Sequence, residues 1–220
     1  AMSEVMNFCI VGCGMIARFH TRALQEIPQT RISALVSRQR SNAERLIAET
    51  GIPPCPIYSQ LEEAIAREPI DAVIVTTASG AHLEPAVCAA QARKHVVVEK
   101  PLEITPERCQ QIIDACDQAG VQLCTIFPSR FGDANRALKQ AVEQQRFGRL
   151  TLAETTCKWW RSQQYYDEGG WKGTRRWDGG GALMNQAIHN VDLLLWLMGP
   201  VASVCGFTAT LAHERIEVED

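Results

Sequence analysis

An apolar run, Phe8-Cys9-Ile10-Val11, ends directly on Gly12-Cys13-Gly14-Met15-Ile16-Ala17, and a helical pattern follows at once. A strand that must turn straight into a helix through two glycines leaves few folds open. Gly12 permits the tight turn, Gly14 lets the backbone approach a bound anion with no Cβ in the way, and Ala17 is small enough for the helix to lie against a sheet. That helix, with Ile16, Phe19, Ala23 and Leu24 on one side, aims its first N–H groups at the anion. The stretch predicts a dinucleotide pyrophosphate site built from Gly12, Cys13, Gly14, Met15, Ile16 and Ala17. Cys13 lies beside the helix N-terminus, a setting that favours a thiolate.

The rest of the first half alternates strand and helix. Arg31 to Val36 reads as a second strand, and Ser41 with Glu44 forms a capping box for a helix closed by Gly51. Prolines 53, 54 and 56 mark a loop into a short strand near Ile57, and Ser59 with Glu62 repeats the capping box. Ala72 to Val75 is an apolar run of parallel-strand type. A helix from Leu83 to Ala92, a strand from His95 to Val98, a helix from Thr105-Pro106 to Gly120 and a strand from Val121 to Ile126 complete the series. Six strands alternating with helices predict an α/β fold with a doubly wound, mostly parallel sheet, whose ligands bind at the strand carboxyl ends. Those ends are Gly12, Ser37, Thr76-Thr77, Glu99-Lys100 and Phe127-Pro128.

From about residue 128 the rhythm changes. A helix near 135–145, a long strand over 150–160, a polar and aromatic loop, a helix over 182–198 stopped by Gly199-Pro200, and strand-like sequence over 201–211 suggest the start of an α+β domain. The expected organisation is a dinucleotide-binding domain over 1–127 and a partial second domain over 128–220.

Composition narrows the function. With 220 residues and 46% hydrophobic content the chain can bury a sizeable core, and a net charge of −3 offers no broad basic field for nucleic acid or anionic lipid. No apolar run reaches the roughly 18 residues that span a bilayer, and the start lacks the basic-then-apolar layout of a signal peptide. A cytoplasmic location with no membrane partner is the expectation. Nine cysteines, an odd number without CxxC pairs, predict free thiols and no metal centre.

Glu99-Lys100-Pro101, the N-terminal GxGxxA, and Gly179-Gly180-Gly181-Ala182-Leu183-Met184-Asn185 leading to His189 occur in one order and spacing. Together with Thr76-Thr77, His82, Arg130-Phe131 and Asp192 to Gly199, the chain resembles the Gfo/Idh/MocA oxidoreductase family over essentially its whole length. The resemblance implies a Rossmann domain followed by an open, mainly antiparallel sheet, for which the sequence after residue 128 supplies too few strands. It also implies a homo-oligomer in the intact protein. Family members bind NAD(P), so Thr76, Thr77, His82, Glu99, Lys100 and Pro101 are expected around the cofactor. Lys100 takes the family's place beside the reacting carbon, where its ammonium would favour alkoxide character as hydride leaves. A cis Lys100–Pro101 bond would fix its direction.

The family's acidic residue four positions before a histidine corresponds to Asn185 and His189. On an unbroken helix both share one face, while Met184, Ile188, Val191 and Leu195 form an apolar stripe on another. His189 is the expected general base, since imidazole titrates near neutral pH. Asn185 cannot act as a base, but its amide can orient substrate hydroxyls or Lys100.

At the end of the second strand, where NAD binders place an Asp or Glu, this chain has Ser37-Arg38-Gln39-Arg40. A hydroxyl and the guanidinium groups of Arg38 and Arg40 suit a 2′-phosphate, so NADP(H) is the expected cofactor, with NAD(H) the alternative. Four of five tryptophans fall between Trp159 and Trp177, among Tyr165, Tyr166, Arg161, Lys172, Arg175 and Arg176. Aromatic faces suit sugar C–H faces and the cations suit a carboxylate or phosphate. The expected substrate is a sugar, cyclitol, sugar acid or nucleotide-linked sugar held by Arg130, Trp171, Arg175, Asn185 and His189. The bland alternative is a loop packed on a subunit partner. Three functions compete: hydride transfer from a secondary hydroxyl, a catalytically impaired cofactor-binding relative or fragment, and a glycosidase of the family that uses tightly held NAD.

Overall fold

The structure, a computed structural model, describes residues 5–168 and 170–220 and divides into two units, Ala1–Thr125 and Ile126–Asp220. In the first unit, β1 (Met6–Val11), β2 (Thr30–Val36), β3 (Ile57–Tyr58), β4 (Ala72–Val75), β5 (His95–Val98) and β6 (Leu123–Thr125) form one parallel sheet in the order β3-β2-β1-β4-β5-β6. Helices α1 (Met15–Gln25), α2 (Arg40–Thr50), α3 (Leu61–Arg67), α4 (Leu83–Gln91) and α5 (Pro106–Ala119) connect the strands.

The period-two geometry of a strand explains why the strand sequences are apolar throughout rather than alternating. Cys9, Val11, Ala34, Val36, Val73, Val75, Val96 and Val98 pack on one face with Leu61, Ala64, Ala86, Ala89, Ala90, Ile112 and Cys116 of α3, α4 and α5. Phe8, Ile10, Leu35 and Ile74 pack on the other with Ala17, Leu24, Ala43 and Leu46 of α1 and α2. Both faces are therefore dry, which fixes the register: a slip of one residue would exchange the two sets.

The helix starts differ from the sequence expectation. α2 begins at Arg40 with Gln39 in the extended cap position, and α3 begins at Leu61 with Gln60 there. Ser41 is thus inside its helix and Ser59 lies one residue too early, so neither capping box forms; Glu44 instead pairs with Arg40 at 2.9 Å along the helix. On α5 the expected cap does form, with the Thr105 hydroxyl accepting from the Arg108 N–H at 3.3 Å. On α1 the buried side is Ala17, Thr21 and Leu24, while Phe19 and Ala23 face outward.

In the second unit, the chain forms a 3-10 turn (Pro128–Phe131), α6 (Asp133–Glu143), α7 (Gln163–Asp167), a π-helical turn (Ala182–Gln186) and α8 (Ile188–Met198). Residues 150–160 and 201–211, expected as strands, join no ladder among the described residues, and every strand pairing found there is parallel and lies in the first unit. An alternating sequence becomes a strand only when a neighbour takes its backbone groups. Phe207, 99% exposed, shows the consequence. The expected helix over 182–198 is broken by the π turn, and its predicted apolar stripe is not core: Leu195 is 41% exposed and Val191 is exposed too.

The glycines at 179–181 answer a packing need in this unit. A Cβ on Gly181 would sit 1.7 Å from the Glu219 carbonyl oxygen. The Glu219 carbonyl accepts from the Ala182 N–H at 3.0 Å, and its carboxylate accepts from the N–H groups of Gly181 (2.9 Å) and Leu183 (3.0 Å). Gly181→Ala should force these backbones apart and cost about 1–3 kcal/mol, read as a fall in the urea midpoint. An unchanged midpoint would mean that this close approach does not exist in solution.

Candidate functional site

Strand order reverses between β1 and β4, and a sheet of this kind binds ligands in the crevice at that switch point. Gly12 turns there with φ +92°, and a Cβ on it would lie 2.9 Å from the backbone of Thr76 and Thr77. At Gly14, the N-cap of α1, a Cβ would meet nothing within 4 Å. No side chain caps α1 and no acidic residue stands in its first turn. Open space over uncapped N–H groups at a positive helix end suits a pyrophosphate, so these residues fit the dinucleotide that the motif implies. A depression of about 300 Å³ opens beside this point, lined by Cys13, Gly14, Met15, Arg18, Asn42 and Arg45 among others. Another, of about 210 Å³ and lined by Thr30, Ile52 and residues 53–56, lies at the amino-terminal edge of the strands, away from the switch point.

The neighbouring residues divide the work. Met15 is exposed, Ile16 half-buried, and Ala17 fully buried against the sheet. Cys13 is buried, and burial pushes its thiol up to about 12, which corrects the expectation of a thiolate there. The Thr76 hydroxyl donates to the carbonyls of Val11 (3.0 Å) and Gly12 (2.5 Å), and the Thr77 hydroxyl donates to the Ala81 carbonyl at 2.8 Å. Both therefore shape the crevice. At the end of β2, the Ser37 hydroxyl donates to the Gln39 carbonyl at 2.8 Å, Arg40 is held by Glu44, and Arg38 is exposed.

The end of β5 carries a network of paired, buried charge. The Lys100–Pro101 bond is cis. Glu99 lies 2.8 Å from His20 Nε2 of α1 and accepts from the Lys100 N–H at 3.1 Å. Burial opposes its ionisation, but the His20 contact and the Lys100 N–H outweigh it and hold the carboxyl below its ordinary value. His82 is buried with Nδ1 3.0 Å from the Pro101 carbonyl and Nε2 3.2 Å from the Thr77 carbonyl. Burial holds its pKa down although those carbonyls favour the charged ring, and the ring lies between two loops. Glu103 is also buried. Burial pushes its carboxyl up, yet Arg108 at 2.8 Å and the N–H groups of Ile104 (2.6 Å) and Leu83 (3.4 Å) prevail and lower it. Sequence reasoning missed His20, Glu103 and Arg108; no local signal marks them, because their partners are distant in the chain or stand in an irregular loop.

In the second unit several predicted substrate ligands carry other duties. Arg130 donates from Nε and Nη2 to the two oxygens of Asp192, at 2.8 and 2.6 Å, with its guanidinium 5.8 Å from the Trp196 ring centroid. It clamps the 128–131 turn to α8. Arg175 is exposed and donates to the Glu217 carbonyl at 3.0 Å, and Arg161 donates to Gln186 at 2.6 Å. Trp171 is half-buried, and Lys172 lies 3.6 Å from the Tyr165 ring centroid. Asn185 stands in the π turn and donates from Nδ2 to Asp178 Oδ1 at 2.7 Å, a carboxylate that sequence reasoning did not single out. His189, half-buried in the first turn of α8, meets the Phe127 ring edge-on at 6.3 Å. Asn185 thus lies in the π turn and His189 in α8, not on the single helix that their spacing suggested. All nine cysteines are free, and the described residues hold no metal-binding cluster and no helix long and apolar enough to cross a membrane.

Comparison with known proteins places this geometry. Residues 6–127 match the family described as an oxidoreductase family with an NAD-binding Rossmann fold, and residues 135–220 match a GFO/IDH/MocA C-terminal domain. The WlbA dehydrogenase of Bordetella pertussis, solved with NADH and UDP-GlcNAcA, is 40% identical with a TM-score of 0.92, over 99% of this chain and 65% of its own. The WlbA dehydrogenase of Chromobacterium violaceum, with the same two ligands, is 37% identical with a TM-score of 0.92, over 100% of this chain and 63% of its own. The 1,5-anhydro-D-fructose reductase of Ensifer adhaerens is 32% identical over 83% of this chain and 55% of its own. The chain thus spans about half the length of such curated relatives and just under two thirds of the WlbA chains.

The buried charges set an acid limit on the fold. Glu103 titrates below its ordinary value of 4.5 in the folded chain, so its contribution is complete above that value and is lost as pH falls through the lowered one. Stability should decline as pH falls below that ordinary value. Glu103→Gln should flatten part of that decline and cost about 1–3 kcal/mol at neutral pH, measured by urea unfolding across the range. An identical slope in the variant would remove Glu103 from the account.

Proposed function

Because the chain belongs to the GFO/IDH/MocA oxidoreductase family, we propose that it is a nicotinamide-dependent dehydrogenase that oxidises a secondary hydroxyl of a nucleotide-linked sugar acid. One observation carries the substrate class: two relatives at 37–40% identity, matched along essentially all of this chain, hold NADH and UDP-GlcNAcA. The aromatic loop of the second unit supports it. Trp171 and Trp177 offer faces for a sugar ring, and Arg176, exposed with its guanidinium 4.8 Å from the Trp177 ring centroid, is a cation suited to a carboxylate or diphosphate.

NAD(H) is the cofactor this reading takes, in place of the NADP(H) that the Ser37-to-Arg40 segment suggested. The relatives' NADH supports it, and so do the commitments of Arg40 to Glu44 and of Ser37 to Gln39, which leave Arg38 as the principal group for a 2′-phosphate. When bound, the cofactor supplies the hydride acceptor. Lys100 donates a hydrogen bond to the hydroxyl oxygen and stabilises its developing negative charge. His189 takes the hydroxyl proton. Asn185 orients the sugar through its amide. Thr76, Thr77 and His82 hold the crevice in shape, and Arg130 holds α8 in place through Asp192.

The test is to mix the full chain with UDP-GlcNAcA and NAD, then NADP, and to follow nicotinamide absorbance. Reduction with NAD, at least about tenfold more efficient than with NADP, is the expected result. Lys100→Met should lower kcat by at least about 10²-fold while leaving NADH affinity, read by fluorescence, largely intact. Equal turnover in that variant removes Lys100 from the chemistry. Binding of both ligands without turnover would favour the binding-only reading, for which Asn185 is the observation.

A further inference from the structure

The cavity of about 210 Å³ at the amino-terminal edge of the sheet belongs to no part of the nucleotide crevice. It opens between the end of α1, the start of β2 and the loop that carries Cys55. Drug-sized ligands occupy roughly 300–1,000 Å³, so a space of this size suits a small metabolite. Much of its wall is apolar: Leu24, Ile32, Ile52 and the prolines at 53, 54, 56 and 69.

The neutral polar side chains on that wall already have partners. The Thr30 hydroxyl donates to the carbonyls of Leu24 (2.7 Å) and Ile27 (3.0 Å), the Ser33 hydroxyl to the Phe8 carbonyl at 3.3 Å, and the Gln25 amide to the Thr50 carbonyl at 3.1 Å. Two charged side chains of opposite sign also line the space. Arg31 is exposed, and its guanidinium makes no hydrogen bond or ion pair among the described residues. Glu68 accepts from the Tyr58 hydroxyl at 2.6 Å with Oε1, while its Oε2 accepts nothing among the described residues. Both act on the half-buried Cys55 between them: burial raises the thiol pKa, Glu68 adds to the rise and Arg31 opposes it.

These charges select among ligands. A purely apolar molecule would take water from both ions and offer no partner in return, which is costly. A simple anion gains Arg31 but is repelled by Glu68, and a simple cation meets the reverse. A molecule with both charges gains from both. We propose that this cavity binds a small zwitterion with an apolar body, namely a free α-amino acid with an aliphatic or aromatic side chain. Arg31 holds its carboxylate, Glu68 holds its ammonium, and its side chain packs on the proline wall.

The test adds L-valine, L-leucine, L-methionine and L-phenylalanine in turn to the full chain and reads binding by calorimetry. At least one should bind with a dissociation constant of about 1 mM or below, and failure of all four overturns the proposal. The counterparts of the tightest binder that lack one charge, which for L-leucine are 4-methylpentanoate and 3-methylbutylamine, should each bind at least about tenfold more weakly through loss of a charge-assisted hydrogen bond. Equal binding of either counterpart overturns it too. Arg31→Gln should weaken the amino acid and leave the amine unaffected. Glu68→Gln, whose amide carbonyl can still accept from Tyr58, should weaken the amino acid and leave the carboxylate counterpart unaffected. Unchanged affinity for the amino acid in either variant removes that residue's role and overturns the proposal.

Cys55 reports the location without any substitution. Its alkylation by iodoacetamide, followed by mass spectrometry, should slow several-fold with the amino acid bound, while the exposed Cys124 reacts as before. An unprotected Cys55, or displacement of the amino acid by NADH, would put the ligand elsewhere and overturn the proposal. None of these readouts uses turnover, so their failure leaves the dehydrogenase reading untouched.

Discussion

The contact between the turn after β1 and the end of β4 is the constraint on which the first unit is arranged. The Thr76 N–H donates to the Val11 carbonyl at 2.8 Å, its hydroxyl reinforces that bond, and Gly12 lies so close to residues 76 and 77 that only a hydrogen fits in the place of a side chain. This seam is also where strand order reverses. The crevice that receives a pyrophosphate and the packing that holds the central strands together are thus the same feature. Its walls cannot relax without opening a sheet whose two faces are both buried.

Around the far side of that crevice, charge is buried in pairs, and the Lys100 backbone N–H takes part in one of them. Isolated buried ions are costly, and this edge avoids the cost by pairing each one. Glu99 faces His20 and the Lys100 backbone, Glu103 faces Arg108 and two backbone N–H groups, and the His82 ring spans the Pro101 and Thr77 carbonyls. Helix α1, which presents its N-terminus to the crevice, is tied through His20 to the strand end that carries the lysine. The start of α1 and the end of β5 are mechanically linked within one unit.

The second unit solves a different problem. Between α6 and α8 its backbone has little ladder to satisfy it, yet buried N–H groups need acceptors. Carboxylates take that role: Asp178 accepts from Gly173, Glu217 from Arg175, Glu219 from Gly181 and Leu183, and Asp220 from Leu211, Ala212 and His213. The Asp220 carboxyl loses some ease of ionisation to burial, but these N–H groups more than restore it and hold its pKa at about 2. Negative charge in this region is a substitute for strand neighbours, and Asp178 also accepts from the Asn185 amide.

The sequence by itself determined the parallel sheet and the family, because each depends on local facts. Apolar runs buried on both faces, glycines where the backbone must pass close, and a Thr-Pro start and Gly end on α5 can all be read along the chain. Helix starts were less legible, since two glutamines took cap positions that serines one or two residues away could have filled. Only the tertiary structure decided what the charged side chains do. Arg130, Arg40 and Arg175 looked like ligand groups until Asp192, Glu44 and Glu217 were placed beside them. Likewise Asp178 carried no assignment in the sequence, and its contact with Asn185 is seen only in the fold. A long polar side chain reaches several partners of nearly equal chemistry, so its choice is made by distance in the folded chain rather than by its neighbours in sequence.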